Sequence, residues 1–122
     1  MYDYEPEARL FKLLMHPARL AILDVLRSGE ACVCHLEAAL GYRQAYISQQ
    51  LMVLRAAGLV EDRRDGWNIY YRVIKPQVFA VIDAARVAVG AERHDFDLPV
   101  LLQNCTCPKC SLVLETLKAQ QD

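Results

Sequence analysis

Two short amphipathic segments that follow each other along the chain limit its fold more than any other feature. Residues 31–42 (ACVCHLEAALGY) and residues 43–58 (RQAYISQQLMVLRAAG) each predict a helix that ends at a glycine. In the second segment Ile47, Leu51 and Leu54 recur at helical spacing and so share one face. Two short helices joined through a glycine-containing turn are typical of a helix-turn-helix.

The periodicity changes directly after this pair of helices. Residues 59–74 (LVEDRRDGWNIYYRVI) predict a β-hairpin with a turn at Asp65 and Gly66 and with arginines near its tip. Trp67 is expected to pack within the hairpin. The alternation separates two faces, Trp67, Ile69, Tyr71 and Val73 on one and Asn68, Tyr70 and Arg72 on the other.

Further helices flank these elements. Residues 7–29 (EARLFKLLMHPARLAILDVLRSG) predict two helices separated at Pro17. Residues 76–92 (PQVFAVIDAARVAVGAE) predict another, with Pro76 in its first turn and an apolar surface wide enough for the core and a partner. The predicted fold class is mainly α with a small β-hairpin, arranged as a winged helix-turn-helix.

A chain of 122 residues that is 54% hydrophobic suits one domain with its own core. We expect that domain to span residues 1–95. Residues 96–122 then form a cysteine-containing tail, whose last dozen residues (SLVLETLKAQQD) can form a short helix. The sequence has no run of about 18 apolar residues and begins with acidic and polar residues, so the expectation is a cytoplasmic protein without a membrane partner.

Charge and fold together indicate DNA as the partner. The net charge is −1, yet residues 43–75 carry six basic side chains and three acidic ones. In a winged helix-turn-helix the second helix enters the major groove of a DNA duplex and the hairpin reaches the phosphates. The alternative is a solvated polar face without a ligand. The candidate DNA-binding residues are Arg43, Gln44, Tyr46, Ser48, Gln49, Arg63 and Arg64.

The same residues carry a resemblance to a known family. Roughly residues 8–90, and above all the motifs HPARLAILDVL, YISQQLMVLRAAGLV and RRDGWNIYYRV, resemble the ArsR/SmtB family of bacterial metal-sensing repressors. The resemblance implies a homodimeric DNA-binding repressor, with the first and last helices at the dimer interface and an effector that lowers affinity for the operator. It implies no enzyme, and the sequence carries no phosphate loop or acid/base constellation.

Departures from the family's metal-binding motifs limit which ion this chain is expected to sense. The zinc sensors of the family carry an Asp-x-His motif on the helix after the hairpin, where this chain has Asp83 and then Ala85. Its arsenic sensors carry Cys-Val-Cys-x-x-Cys on the first helix of the helix-turn-helix, where this chain has Cys32, Cys34 and then Glu37. The resemblance therefore implies an arsenic-type site that lacks its third cysteine.

In the tail, Cys105, Cys107 and Cys110 have the Cys-x-Cys-x-x-Cys spacing that is incomplete at Cys32 and Cys34. Five cysteines in a reducing compartment favour metal binding or reactivity over disulfides. Three thiolates suit trivalent arsenic or antimony, and four suit cadmium, lead or zinc, so the ion stays open and no obligatory cofactor is expected. The candidate ligands are Cys32, Cys34, Cys105, Cys107 and Cys110.

Cysteines two apart on a regular helix point about 200° from each other, so Cys32 and Cys34 can share an ion only if the first turn unwinds or one lies outside the helix. If a tail cysteine of either protomer completes the site, the ion couples the tail to the DNA-reading helices. A site within the tail alone, a structural zinc knuckle, inert thiols, and a disulfide or persulfide switch are the alternatives.

Overall fold

The computed structural model describes residues 2–91 of the chain. The predicted boundary between residues 95 and 96, the terminal helix, and Cys105, Cys107 and Cys110 lie outside the described residues. The elements follow the chain in the order α1 (Glu5–Leu14), α2 (Pro17–Leu26), β1 (Ala31–Cys32), α3 (Val33–Leu40), α4 (Gln44–Ala56), β2 (Val60–Asp65), β3 (Asn68–Val73) and α5 (Gln77–Val89).

A proline separates the first two helices, as the sequence predicts. Pro17 is the first residue of α2, where its missing N–H would have no helical acceptor in any case. Helix α1 ends at Leu14, which is buried against the core. Within residues 2–91 no helix has the length and the apolar run that crossing a bilayer requires.

The core lies between α2, α3 and α4. Ile47, Leu51 and Leu54 of α4 are all 0% exposed, and they pack in one cluster with Leu23 of α2 and Leu36 of α3. The predicted apolar face of α4 is therefore confirmed. Because this face fixes how α4 is turned about its axis, it also determines which side chains α4 presents to solvent.

A three-stranded antiparallel sheet, in the order β1-β3-β2, completes the domain. Strand β1 consists of Ala31 and Cys32, which pair with Tyr71 and Tyr70 of β3. The prediction of a helix from residue 31 was wrong, since α3 begins at Val33. A run of only two residues has no period of its own, and pairing with β3 decides its conformation.

The predicted hairpin is confirmed, and its details differ from the sequence prediction. Asp65 pairs with Asn68, so Gly66 and Trp67 form the two-residue loop, with Gly66 at φ 61°. The expectation that Trp67 packs within the hairpin was wrong, because this residue is 102% exposed relative to its reference. Tyr70 is buried instead, since β3 is the central strand and β1 pairs with it at this residue.

An ionic cluster joins the end of α2 to α5. Arg27 donates hydrogen bonds to both carboxylate oxygens of Asp83, at 2.8 and 2.9 Å, and its guanidinium lies 4.7 Å from the centroid of the Phe79 ring. Arg86 donates to Asp83 at 3.1 Å and also to Asp24. The hydrogen bond from Arg27 lowers the pKa of Asp83, so this aspartate is an ion-pair partner of α2 in the structure.

Asp83→Asn should reduce stability at pH 7 and lose this effect in acid. A carboxylate with a lowered folded-state pKa contributes stability above its unfolded pKa, and the contribution is lost as the pH falls through the folded value. Urea denaturation at one protein concentration, at pH 7 and at about pH 3, checks the prediction. Asp3→Asn, which removes an exposed carboxylate outside the cluster, is the control. A deficit of the same size at both pH values would contradict this electrostatic role of Asp83.

Candidate DNA interface and thiol site

The N-terminal half of α4 presents the polar side chains that the sequence singles out. Gln44, Tyr46 and Gln49 are exposed, and Ser48 is half-buried. Arg43 is the N-cap residue and is exposed as well. All five lie at the start of the helix and outside its buried stripe, the arrangement that base reading in a major groove needs. Their contact with bases stays a prediction.

An aromatic pair orients one of these side chains. The rings of Tyr42 and Tyr46 meet edge to face, with centroids 5.3 Å apart. Sequence reasoning did not identify Tyr42, although two aromatic residues four positions apart at a helix start signal such a contact. The pair restricts Tyr46 to one side of the first turn of α4.

A buried glutamine ties α4 to the first two helices. Gln50 is 8% exposed, and its Oε1 accepts a hydrogen bond of 2.8 Å from Nε of Arg19. Arg19 also donates through Nη1 to the carbonyl of Leu13, at 3.2 Å. Sequence reasoning missed this contact, because Gln50 has the same residue type as its exposed neighbour Gln49. The direction of α4 thus depends on the junction between α1 and α2.

The two hairpin arginines that we predicted to bind phosphate differ in their surroundings. Arg63 donates to Glu30 at 2.6 and 3.3 Å, and its guanidinium lies 4.9 Å from the centroid of the Tyr70 ring. Arg64 is exposed and, within residues 2–91, has no acidic side chain within ion-pair distance. A phosphate therefore competes with Glu30 and Asp65 for the guanidinium of Arg63, whereas Arg64 has no such competitor among the described residues.

The first thiol pair lies where the sheet meets the helix-turn-helix. Cys32 is 3% exposed and is the N-cap of α3, with extended backbone angles and with Sγ accepting a hydrogen bond from the N–H of His35 at 3.3 Å. Cys34 is half-buried in the first turn of α3. Because Cys32 lies outside the helix, the 200° separation expected on a regular helix does not apply to this pair.

The described residues do not by themselves supply a complete metal site. In the part of the chain that the structure describes, no three His, Cys, Asp or Glu side chains are grouped so that they could hold a metal ion. Two thiols are present in α3 and its cap, and Glu37 is exposed. A three-thiolate site that uses Cys32 and Cys34 therefore requires a further cysteine from beyond residue 91.

Helix-turn-helix, hairpin and exposed polar helix start together define a winged-helix DNA-binding regulator. The family whose description reads "Bacterial regulatory protein, arsR family" matches residues 16–62. Repressors from several bacteria are also similar over most of the domain. The chain belongs to the ArsR family of transcriptional regulators, so the predicted resemblance is confirmed and the protein is not an enzyme.

Three proteins illustrate the similarity. The biofilm growth-associated repressor of Agrobacterium fabrum is 47% identical over 77 residues, which are 63% of this chain and 66% of that protein. The structure of the transcriptional repressor BigR from Xylella fastidiosa superposes with a TM-score of 0.67 at 38% identity, over 72% of this chain and 90% of that one. The antimony-specific transcriptional repressor AntR superposes with a TM-score of 0.64 at 33% identity, over 70% of this chain and 78% of that one.

Glu30→Gln should strengthen DNA binding if Arg63 binds a phosphate. The substitution releases Arg63 from its carboxylate partner, so we expect a gain of about three- to tenfold and a steeper dependence of affinity on salt. Fluorescence anisotropy on operator DNA over a salt series measures both quantities. Glu7→Gln controls for the lost negative charge. An equal gain with Glu7→Gln, or a gain that persists in an Arg63→Ala background, would contradict the exchange.

Proposed function

We propose that this chain is a DNA-binding repressor that leaves its operator when thiolates including Cys32 and Cys34 bind trivalent arsenic or antimony. One observation carries the proposal. Cys32 ends strand β1, caps helix α3 and is buried, so an ion that draws its thiol out of the core also removes the cap of α3. The similarity to an antimony-specific repressor supports the choice of metalloid.

The donor set fits the proposed ion. Arsenic and antimony in the trivalent state bind soft thiolates, and three are enough. Two are Cys32 and Cys34, and we propose that the third comes from Cys105, Cys107 or Cys110. A site with four thiolates would suit cadmium, lead or zinc instead.

A route from the thiols to the DNA-binding surface follows from the contacts of Cys32. If its sulfur turns out of the core, the N–H of His35 loses its acceptor at the start of α3, and a shift of the Cys32 backbone that accompanies this turn also disturbs the pairing of β1 with Tyr70 of the hairpin. Glu30, two residues earlier, holds Arg63. Movement of this segment therefore reaches α3, which packs against α4, and the hairpin at the same time.

Release from DNA requires that the two ligands favour different arrangements of these elements. DNA is bound by the capped and paired arrangement, in which α4 and the hairpin keep a fixed relation. The thiolate-bound arrangement needs Cys32 outside the core. Because each ligand prefers its own arrangement, binding of one lowers the affinity for the other.

Cys32→Ser should keep operator binding and lose release by arsenite. Serine caps helices well, so affinity for DNA should stay near the wild-type value. The concentration of arsenite that releases half of the DNA should rise by at least about tenfold. Anisotropy of the reduced, metal-free protein on DNA from upstream of its own gene is the measurement, with Cys34→Ser and a triple serine variant of the tail in parallel.

The same titration separates the alternatives. Normal release of Cys32→Ser and Cys34→Ser, together with loss of release in the tail variant, would place the site in the tail and overturn the proposal. Release of the wild type by cadmium, lead or zinc but not by arsenite would indicate a four-thiolate site. Release only by a persulfide donor would indicate a redox switch.

We also propose that the repressor is a homodimer through α1 and α5. These helices border an open apolar groove of about 860 Å³, along which Phe11, Met15 and Val89 are exposed. An exposed apolar surface of this kind is typical of a protein interface. A second copy would cover it by twofold symmetry and would place two α4 helices for two half-sites.

Val89→Glu should dissociate the dimer, because it places a carboxylate in the apolar groove without a partner. Sedimentation velocity should show one chain per particle for this variant and two for the wild type. Tyr2→Glu, at an exposed residue outside the groove, should stay dimeric. A wild-type protein that sediments as a monomer at micromolar concentration would contradict the proposed interface.

A further inference from the structure

The tip of the hairpin holds an aromatic side chain that is not buried by any of the described residues. Trp67 is 102% exposed and occupies the second loop position, after Gly66 at φ 61°. Tryptophan can bury about 150–250 Å² of surface, and it is enriched at interfaces because its large ring is apolar while its indole N–H is polar. Its exposure therefore calls for a partner outside the domain.

The hairpin carries this residue away from the body of the domain. The pair between Arg63 and Glu30 joins β2 to the α2–β1 connection. Beyond it, residues 64–67 are all exposed. Six-residue strands are about 20 Å long, which is enough for the tip to reach past the groove in which a helix lies.

Charge at the tip favours DNA as that partner. Arg63 is paired with Glu30 and also with Asp65, the acidic residue next to the loop, and Arg72 is paired with Glu61. Arg64 is exposed and, among the described residues, has no acidic partner within ion-pair distance, and its strand neighbour across the hairpin is Ile69. A cation without a partner and an aromatic ring lie three residues apart at the same tip.

We infer that Trp67 is a DNA-contacting residue whose indole lies against the sugars of the duplex while Arg64 binds the adjacent phosphate. Sugar and phosphate contacts of this kind fix the register of a protein on DNA. The apolar indole face suits the deoxyribose surface, and the indole N–H can donate to a phosphate oxygen. This inference rests on the proposed DNA-binding function and adds a residue that the basic pattern of the hairpin did not indicate.

The chain provides its own probe for the test. Trp67 is its single tryptophan, so tryptophan emission reports on the hairpin tip alone. When the reduced full-length protein is titrated with unlabelled operator DNA, the emission should change and quenching by acrylamide should decrease. Both changes should saturate at the same DNA concentration as the anisotropy of a labelled duplex.

The DNA affinity of variants at Trp67 measures how much this contact contributes to binding. Trp67→Ala should weaken binding on the order of tenfold, and Trp67→Phe should recover most of the loss. Thermal stability should stay unchanged, because Trp67 does not pack in the domain. Tyr4→Ala, which removes another exposed aromatic ring outside the hairpin, should bind as the wild type does.

The outcomes separate this inference from the proposed function. If the duplex binds while tryptophan emission and quenching stay constant, and Trp67→Ala binds equally well, Trp67 is not a contact and the repressor proposal stands. If the wild type does not bind its upstream DNA at all, the proposed function itself fails. Equal losses for Trp67→Ala and Tyr4→Ala would also overturn the inference.

Discussion

The position of Cys32 at the end of β1 and the start of α3 is the constraint on which the proposed regulation by thiolate binding depends. One residue pairs with Tyr70 in the sheet, caps the first helix of the helix-turn-helix and fills part of the core. Its thiol is a weak hydrogen-bond acceptor and a strong ligand for soft ions. A residue that is adequate for the fold and much better for the ion makes the two states compete.

The orientation of α4, whose exposed face we propose to read DNA, depends on contacts of its buried face. The apolar stripe of Ile47, Leu51 and Leu54 fixes the rotation of the helix, and the hydrogen bond between Gln50 and Arg19 fixes its relation to α1 and α2. The proposed dimer helices include α1. A change at the proposed dimer interface would therefore reach α4 through Arg19 and Gln50, and a change at Cys32 would reach it through α3.

Ion pairs within the domain determine which arginine side chains have no acidic neighbour and can bind a phosphate directly. The sequence shows an excess of basic residues between 43 and 75, and the structure pairs Arg55, Arg63 and Arg72 with nearby carboxylates. These pairs are exposed, and exposed pairs contribute little to stability. In the proposed DNA complex, these arginines can therefore exchange their carboxylate partners for phosphates at small cost.

Periodicity was enough to predict the helices, the hairpin and the buried face of α4, because each depends on a repeat within one element. It failed at Ala31 and Cys32, whose strand exists only through pairing with β3. It also failed at Trp67, since alternation within a strand says nothing about a loop residue. The partners of Gln50 and Asp83 come from distant elements, so no local pattern could reveal them.

Amide hydrogen exchange with and without stoichiometric arsenite tests the coupling at Cys32 most directly. The proposed coupling predicts faster exchange in the β1–β3 ladder and in the first turn of α3, with the β2–β3 ladder as an internal reference that keeps its protection. Release from DNA while the β1–β3 ladder and α3 stay fully protected would contradict it.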